Sequence, residues 1–328
     1  MHKLFNAYIV ENSNDFKAGI KKIGLNELPN GDVVVKVSYS SVNYKDGLAS
    51  IPNGNIVKSY PFIPGIDLAG IVISSKDNRY KPGDEIIATS YGLGVSHFGG
   101  YSEYARIPAD WIVPLPKGLT LKEAMIYGTA GFTAALSIHQ LEKNGLTPNK
   151  GKILVTGATG GVGSIGIAIL SKLGYHVVAS TGKESEHNYL NLLGAKEILP
   201  REAIIGDKIK LMDKQHWAAV VDPVGGKSLA SILSKIQYGG SVAVSGLTGG
   251  SDLPTTVFPF ILRGINLLGI DSVYCPMELR INIWNRMASD MKPFGMDKII
   301  NEINFSDLPE ALSTIIKGKS RGRTVVIY

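Results

Sequence analysis

The sequence predicts an α/β protein of two domains, a small antiparallel β-barrel and a doubly wound parallel sheet. Three observations point there. The chain has 328 residues, and at roughly 100–200 residues per domain that length suits two. The first hundred residues read as short strands with Gly/Pro corners. From about residue 150 to residue 270, strand-like runs alternate with helical ones, the pattern of βαβ units with right-handed crossovers.

Composition narrows the function classes. Lys and Arg number 34 against 28 Asp and Glu, a formal charge of +6. It is spread along the chain without the basic stripe of a nucleic-acid surface. One cysteine, Cys275, excludes a disulfide framework and any multi-thiolate zinc or iron–sulfur site. Met1–Val10 lacks a signal peptide's apolar core. The longest uncharged run, Ile153–Leu170, holds five glycines and fits strand–turn–helix better than a membrane span. The expectation is a cytoplasmic protein, with neither membrane nor nucleic acid as a partner. Glycine is in surplus, 38 residues of 328 against an average of about 7%. With no period and no low-complexity block, the surplus serves individual backbone positions.

Each element has its own signal. Asp32–Tyr39 is rich in β-branched residues, and Ile66–Ser74, Gly83–Ser90 and Tyr101–Ile107 are further short runs. Pro64-Gly65, Pro82-Gly83 and Gly99-Gly100 turn the corners. With little helical signal there, the runs must bury one another, as a partly closed barrel does. Leu121–Gly128 and Thr133–Asn144 read as helices, and Lys150–Gly174 as strand, glycine turn and helix. Strand-like runs follow at Tyr175–Ser180, Lys196–Leu199, Ala218–Asp222, Ser241–Ser245 and Ile265–Ile270, separated by helical segments such as Glu184–Leu193 and Lys227–Ile236. After Asp271 the alternation stops. Met277–Met291 carries Leu279, Ile283, Met287 and Met291 at four-residue intervals, a buried helical stripe. A helix near Leu308–Ile316 and a strand at Thr324–Tyr328 close the chain, and that unpartnered strand is expected to rejoin the first domain. The expected boundaries are residues 1–123 with 272–328 for the first domain and 124–271 for the second.

The sharpest motif is Gly157-Ala158-Thr159-Gly160-Gly161-Val162-Gly163, with the apolar run Lys152–Thr156 before it and the apolar helix Ser164–Leu173 after. Glycines there make the turn tight, let backbone N–H groups approach a diphosphate and let helix pack on strand. The helix N-terminus adds partial positive charge. This is a Rossmann-type dinucleotide turn, spaced G-x-x-G-x-x-G. An NAD site would place Asp or Glu about 20 residues on, at the end of the second strand. Here that end is Ser180-Thr181-Gly182-Lys183. No carboxylate repels a 2′-phosphate, and two hydroxyls and an ammonium are available to bind one, so the expected cofactor is NADPH. Glu184 and Glu186 are expected to cap or begin the next helix, and Asp222, before Pro223-Val224-Gly225-Gly226, is expected as a helix N-cap. Asp46 and Asp67 are expected to hold barrel corners, His97 to be structural and Cys275 to be inert or on the surface.

A β-barrel domain first, a Rossmann domain inserted and a return at the C-terminus resembles the medium-chain dehydrogenase/reductase superfamily, whose first domain is GroES-like. Zinc members carry Gly-His-Glu and a group of four cysteines. This chain has Pro64-Gly65-Ile66-Asp67 there and no cysteine cluster, so it is similar to a zinc-free branch, with no metal expected. Ser41–Leu48, Gly128–Ala134, Pro254–Gly264 and Leu268–Val273 are similar to the YhdH/YhfP-type family of acrylyl-CoA reductases and quinone oxidoreductases. The resemblance implies an NADPH-dependent reductase of an activated C=C bond, with hydride added to the β-carbon of acrylyl-CoA to give propionyl-CoA. It implies Tyr44 beside the nicotinamide, Thr159, Gly160, Gly161 and Val162 on the diphosphate, and Thr181, Gly182 and Lys183, next to Ser180, at the 2′-phosphoribose. Thr129, Leu247, Ile261, Ser272 and Arg321 complete the implied cofactor contacts.

Without zinc, hydrogen-bond donors must meet the charge that develops on the substrate's carbonyl oxygen. Tyr44 is the leading candidate, because a phenol carries its proton at neutral pH. The alternative for Tyr44 is a ring packed on the nicotinamide. Asn43 is a second candidate donor, to that oxygen or to the ribose. CoA phosphates make Arg263, Lys58 and the Lys317–Arg323 cluster candidate anchors. Two other readings stand beside acyl-CoA reduction: reduction of a quinone or free enone, and an NADPH-binding module with an RNA or protein partner. The last parallel strand, Ile265–Ile270, is a sheet edge whose pairing predicts a homodimer.

Overall fold

Residues 4–206 and 208–328 are described by the computed structural model. They divide into two units, one holding Met1–Thr129, Val273–Asn285 and Ile299–Tyr328, the other Ala130–Ser272 and Arg286–Lys298. The divisions at 129/130 and 272/273 lie six residues and one residue beyond the expected ones, and Arg286–Lys298, expected with the first domain, groups with the second unit. The residues up to Gly128 belong with the first unit because Gly128 breaks the helix there.

The chain opens with β1 (Leu4–Asn12) and β2 (Phe16–Gly24), then β3 (Val33–Val42), α1 (Tyr44–Ala49), β4 (Asp67–Ser75), β5 (Glu85–Thr89), β6 (Tyr104–Ile107) and β7 (Ile112–Pro114). α2 (Leu121–Lys143) leads to β8 (Lys152–Val155), α3 (Gly161–Lys172), β9 (His176–Thr181), α4 (His187–Leu192), β10 (Glu197–Pro200) and α5 (Arg201–Ile205). β11 (Trp217–Asp222), α6 (Gly226–Leu233), β12 (Ile236–Val244), α7 (Phe258–Arg263) and β13 (Asn266–Gly269) complete that stretch. α8 (Met277–Met287), β14 (Ile300–Asn304), α9 (Leu308–Ile316) and β15 (Arg323–Ile327) end the chain.

In the first unit a seven-stranded sheet runs β14-β15-β3-β4-β5-β7, with β6 also on β3. Its pairs are antiparallel except β14 with β15. β3 shows the period of a half-buried strand, with Val33, Val35 and Val37 inside and Lys36 out. The final strand rejoins this unit, pairing with β3. The β1–β2 hairpin packs Phe5, Ala7, Ile9 and Val10 into a core with Phe62, Ile63 and Tyr101.

In the second unit six parallel strands run β10-β9-β8-β11-β12-β13, the doubly wound order that reverses between β8 and β11. β11 is buried at every position, as strands covered on both faces are. Leu154, Val178, Val220 and Val242 centre the core. Among the described residues, no helix is long and apolar enough to cross a membrane.

The stripe expected over 277–291 survives in part. Ile283, Met287 and Met291 are fully buried, although α8 stops at Met287. One turn before Ile283 the buried side chain is Arg280, whose guanidinium donates to the Thr89 hydroxyl (3.1 Å) and the Val273 carbonyl (3.0 Å). Cys275 is buried. His97 donates from Nε2 to the Arg106 carbonyl at 2.7 Å, and burial holds its pKa below the ordinary value.

Candidate active site

In the second unit the site starts from the turn after β8. Gly157 has φ +54°, a left-handed conformation that an L side chain rarely adopts. A Cβ on Gly163 would lie 2.4 Å from the Gly157 carbonyl oxygen, so turn and helix close on each other only with glycine at that position. α3 begins at Gly161 with no side chain capping it. Its first N–H groups, at Gly161, Val162 and Gly163, therefore stand ready for an anion.

β9 delivers the adjoining group. Ser180 and Thr181 are buried, and the Thr181 hydroxyl accepts the Lys183 N–H at 3.0 Å. Glu184 and Glu186 sit in a short 3-10 turn, and α4 begins after them at His187. A further cation arrives that sequence reading missed. β10 pairs with β9 so that Pro200 lies opposite Thr181, and the next residue, Arg201, covers Gly182. A Cβ on Gly182 would lie 2.4 Å from the Arg201 Nη2. Among the described residues its only ion pair is with exposed Glu202 at 3.6 Å. The signal that could have found it is strand order, because the residue after β10 must land beside the end of β9.

The ends of β11 and β12 are held together. Asp222 accepts from the Thr156 hydroxyl, the Gly225 N–H (2.9 Å) and the Val224 N–H (3.3 Å). It thus pins the turn and the end of β8, while the N-cap of α6 is Gly225 and not Asp222. Burial raises the Asp222 pKa. Leu247 and Ile261 are exposed, and Ser272 is buried, accepting from the Thr133 hydroxyl at 2.8 Å. Arg263 donates to the carbonyls of Ser234 (2.8 Å), Ile236 (3.2 Å) and Asp213. Its guanidinium staples backbone carbonyls within the second unit.

The first unit gathers the other candidates. Tyr44 opens α1 and is half exposed, while Asn43 just before it is buried. The Asn43 amide donates to Asp67 (2.8 Å) and Asp46 (3.2 Å), and its oxygen accepts from Arg323 (3.2 Å). Both N–H groups are committed inside the unit, so Asn43 has no donor left for a substrate oxygen. Thr129 gives its N–H (2.9 Å) and its hydroxyl (2.5 Å) to Asp67, and that hydroxyl also meets Ser90 at 3.0 Å. Arg321 is exposed, whereas Arg323 is buried and donates to the Ser41 hydroxyl (2.8 Å) and the Ile126 carbonyl (3.0 Å). Burial, and then the neighbouring Asp67, push the Asp46 carboxyl up to about 7. The candidates therefore fall into two groups. Thr159–Val162, Ser180–Lys183, Leu247, Ile261 and Ser272 lie in the second unit, and Asn43, Tyr44, Thr129 and Arg321 in the first.

Two family models match, the alcohol dehydrogenase GroES-like domain over residues 29–117 and the zinc-binding dehydrogenase domain over residues 161–289. YhfP of Bacillus subtilis (strain 168), which bears a quinone oxidoreductase name, is 58% identical over 99% of each chain. Its crystal structure with NAD bound superposes with a TM-score of 0.98, covering 99% of this chain and 100% of that one. The acrylyl-CoA reductase AcuI of Ruegeria pomeroyi is 49% identical over 98% of this chain and 99% of its own. E. coli K-12 YhdH, solved with bound NADPH, is 46% identical with a TM-score of 0.94, covering 98% and 99%.

The zinc that the second model's description implies does not fit this donor set. Among the described residues no three His, Cys, Asp or Glu are grouped to hold a metal. Asp67, in the expected ligand segment, is filled by Thr129, Ser41 and Asn43. A nicotinamide dinucleotide fits well, because the tight glycine turn, the uncapped helix and the carboxylate-free end of β9 are all present. The chain belongs to the medium-chain dehydrogenase/reductase superfamily of oxidoreductases, in the family that holds YhfP and the acrylyl-CoA reductase AcuI.

Proposed function

We propose that the chain is an NADPH-dependent, zinc-independent reductase of an activated C=C bond, with a short enoyl-CoA such as acrylyl-CoA as substrate. The observation that carries the cofactor reading is the end of β9, where Ser180, Thr181 and Lys183 flank Gly182, Arg201 lies against Gly182, and the strand end has no carboxylate. Ser180, Thr181, Lys183 and Arg201 would take the 2′-phosphate, and Gly160, Gly161 and Val162 the diphosphate. The likeness to AcuI over nearly the whole chain supports the substrate class.

When bound, the reduced nicotinamide supplies a hydride. The chain's part is to bind, orient and meet charge. Addition at the β-carbon leaves negative charge on the thioester oxygen, which preorganised donors stabilise. Tyr44 supplies that donor, since its hydroxyl has no hydrogen bond among the described residues. The chain works as a homodimer, joined through β13.

A second reading, quinone reduction, draws on the name of YhfP. One assay separates them: NADPH oxidation followed side by side with acrylyl-CoA, crotonyl-CoA and a benzoquinone. Turnover of acrylyl-CoA is expected to dominate. Turnover of quinone alone overturns the enoyl-CoA reading, and turnover of none favours a binding module.

A further inference from the structure

In the second unit the loops after β8, β11 and β12 are built against one another, and Asp222 bonds to the base of each. The middle loop is Pro223-Val224-Gly225-Gly226, whose glycines have φ +71° and +61°. Two glycines in succession leave such a loop little local restraint. The Asp222 carboxyl supplies it. Its Oδ2 accepts the Gly225 N–H (2.9 Å) and its Oδ1 the Val224 N–H (3.3 Å). Oδ1 also accepts from the hydroxyl of Thr156, the residue just before Gly157. The glycine turn then rests on the middle loop, since a Cβ on Gly157 would stand 3.3 Å from both Pro223 Cγ and Val224 Cγ2.

On the other side lies the loop after β12. The Ser245 N–H donates to the Asp222 carbonyl (2.9 Å), and the Gly249 N–H donates to the Val224 carbonyl (2.8 Å). A Cβ on Gly246 would lie 2.2 Å from the Pro223 carbonyl oxygen, so the two loops touch backbone to backbone. The loop held in this way carries Leu247, 67% exposed.

We propose that Asp222 is a positioning residue for the dinucleotide, setting these three loops as one block so that the diphosphate turn and the Leu247 loop keep a single arrangement. The proposal rests on the reading of the glycine turn as the dinucleotide site. Asp222 is 0% exposed and, among the described residues, has no ion pair. A buried carboxylate with no cation is costly, and its charge opposes an anion on the neighbouring turn. Charge and geometry therefore predict opposite signs. Loss of the negative charge alone would tighten dinucleotide binding. Loss of the acceptor frees the middle loop from Thr156 and weakens it. The diphosphate is common to NADPH and NADH, so the weakening is the same for both.

Fluorescence titration of the intact protein with NADPH and with NADH tests this. Asp222→Ala and Thr156→Val should each raise both Kd values roughly tenfold, by the same factor for the two dinucleotides. The double variant should bind no more weakly than Asp222→Ala by itself, because both changes remove one link. Thr156→Ser keeps the hydroxyl and should bind like the parent. Gly246→Ala pushes the β12 loop off Pro223 and should also weaken both dinucleotides. Leu141→Ala, buried in α2, is the control for stability: its melting temperature should fall while both Kd values stay within about twofold. Parent-like or tighter binding by Thr156→Val or Asp222→Ala overturns the proposal, as does a Leu141→Ala variant that loses as much. Weakening confined to NADPH also overturns it, since that places the effect at the 2′-phosphate. Where Asp222→Ala does not fold, the Thr156→Val and Thr156→Ser pair decides. A parent that binds neither dinucleotide overturns the cofactor reading, and the proposal with it.

Discussion

Tyr44 is 48% exposed at the first position of α1, so the hydroxyl proposed above as the donor is accessible. Replacing one donor to a developing oxyanion costs about 2.7–4 kcal/mol of barrier. Tyr44→Phe keeps the ring and removes only the hydroxyl, so kcat with acrylyl-CoA should fall more than tenfold while the NADPH Kd is unchanged. An unchanged kcat would assign Tyr44 to ring packing alone. Arg201 makes the complementary prediction for the cofactor. A charge-assisted hydrogen bond contributes about 1.5–3 kcal/mol, so Arg201→Ala should raise the NADPH Kd roughly tenfold or more and leave the NADH Kd alone. Fluorescence titration with both dinucleotides tests this, and equal weakening of both would place Arg201 outside the 2′-phosphate contact. Asn43 and Arg263 show what residue types conceal. An amide and a guanidinium look available in sequence, yet their acceptors are buried carboxylates and backbone carbonyls that only the fold brings near.

At the scale of the element, the break in α2 is the decisive feature. Gly128 has φ +50°, and a Cβ there would lie 2.5 Å from Asp67 Oδ2 and 2.7 Å from both Arg323 Nη2 and Ser41 Oγ. The helix therefore yields where the buried charges pass. Gly128→Ala should disrupt the pair and cost about 3–5 kcal/mol, lowering the melting temperature by roughly 10 °C. An unchanged Tm would show that the network can move aside. The elements that sequence revealed are those with local signals. The glycine turn between β8 and α3 is bracketed by apolar runs, and β3 alternates. The β1–β2 hairpin was not singled out, because β2 carries exposed Lys17, Lys21 and Lys22 and little alternation. β14 is short and mostly polar, and its partner β15 lies about twenty residues further along. Arg201 needed the strand order itself.

At the scale of the whole molecule, one edge of the parallel sheet, β13, lacks the features that discourage pairing. β13 hydrogen-bonds to β12 on one side and ends the six-stranded sheet on the other. Its sequence, Asn-Leu-Leu-Gly, has no lysine, proline or bulge to discourage pairing. Beside it, α7 exposes Ile261 at 71%, Leu262 at 59% and Phe258 at 44%. Pairing with a copy of itself across a two-fold axis would remove this edge without leaving another, which is the assembly proposed above. Light scattering should therefore give twice the chain mass of 35.2 kDa. Leu268→Lys with Leu262→Glu places charge on the edge and on the helix, and should yield monomers. The glycine turn after β8 lies three strands away from β13, so those monomers should still bind NADPH within a few-fold of the parent. A wild-type monomer at micromolar concentration would refute edge pairing. Loss of NADPH binding together with dimerisation would mean that the second copy supports the cofactor end of the sheet.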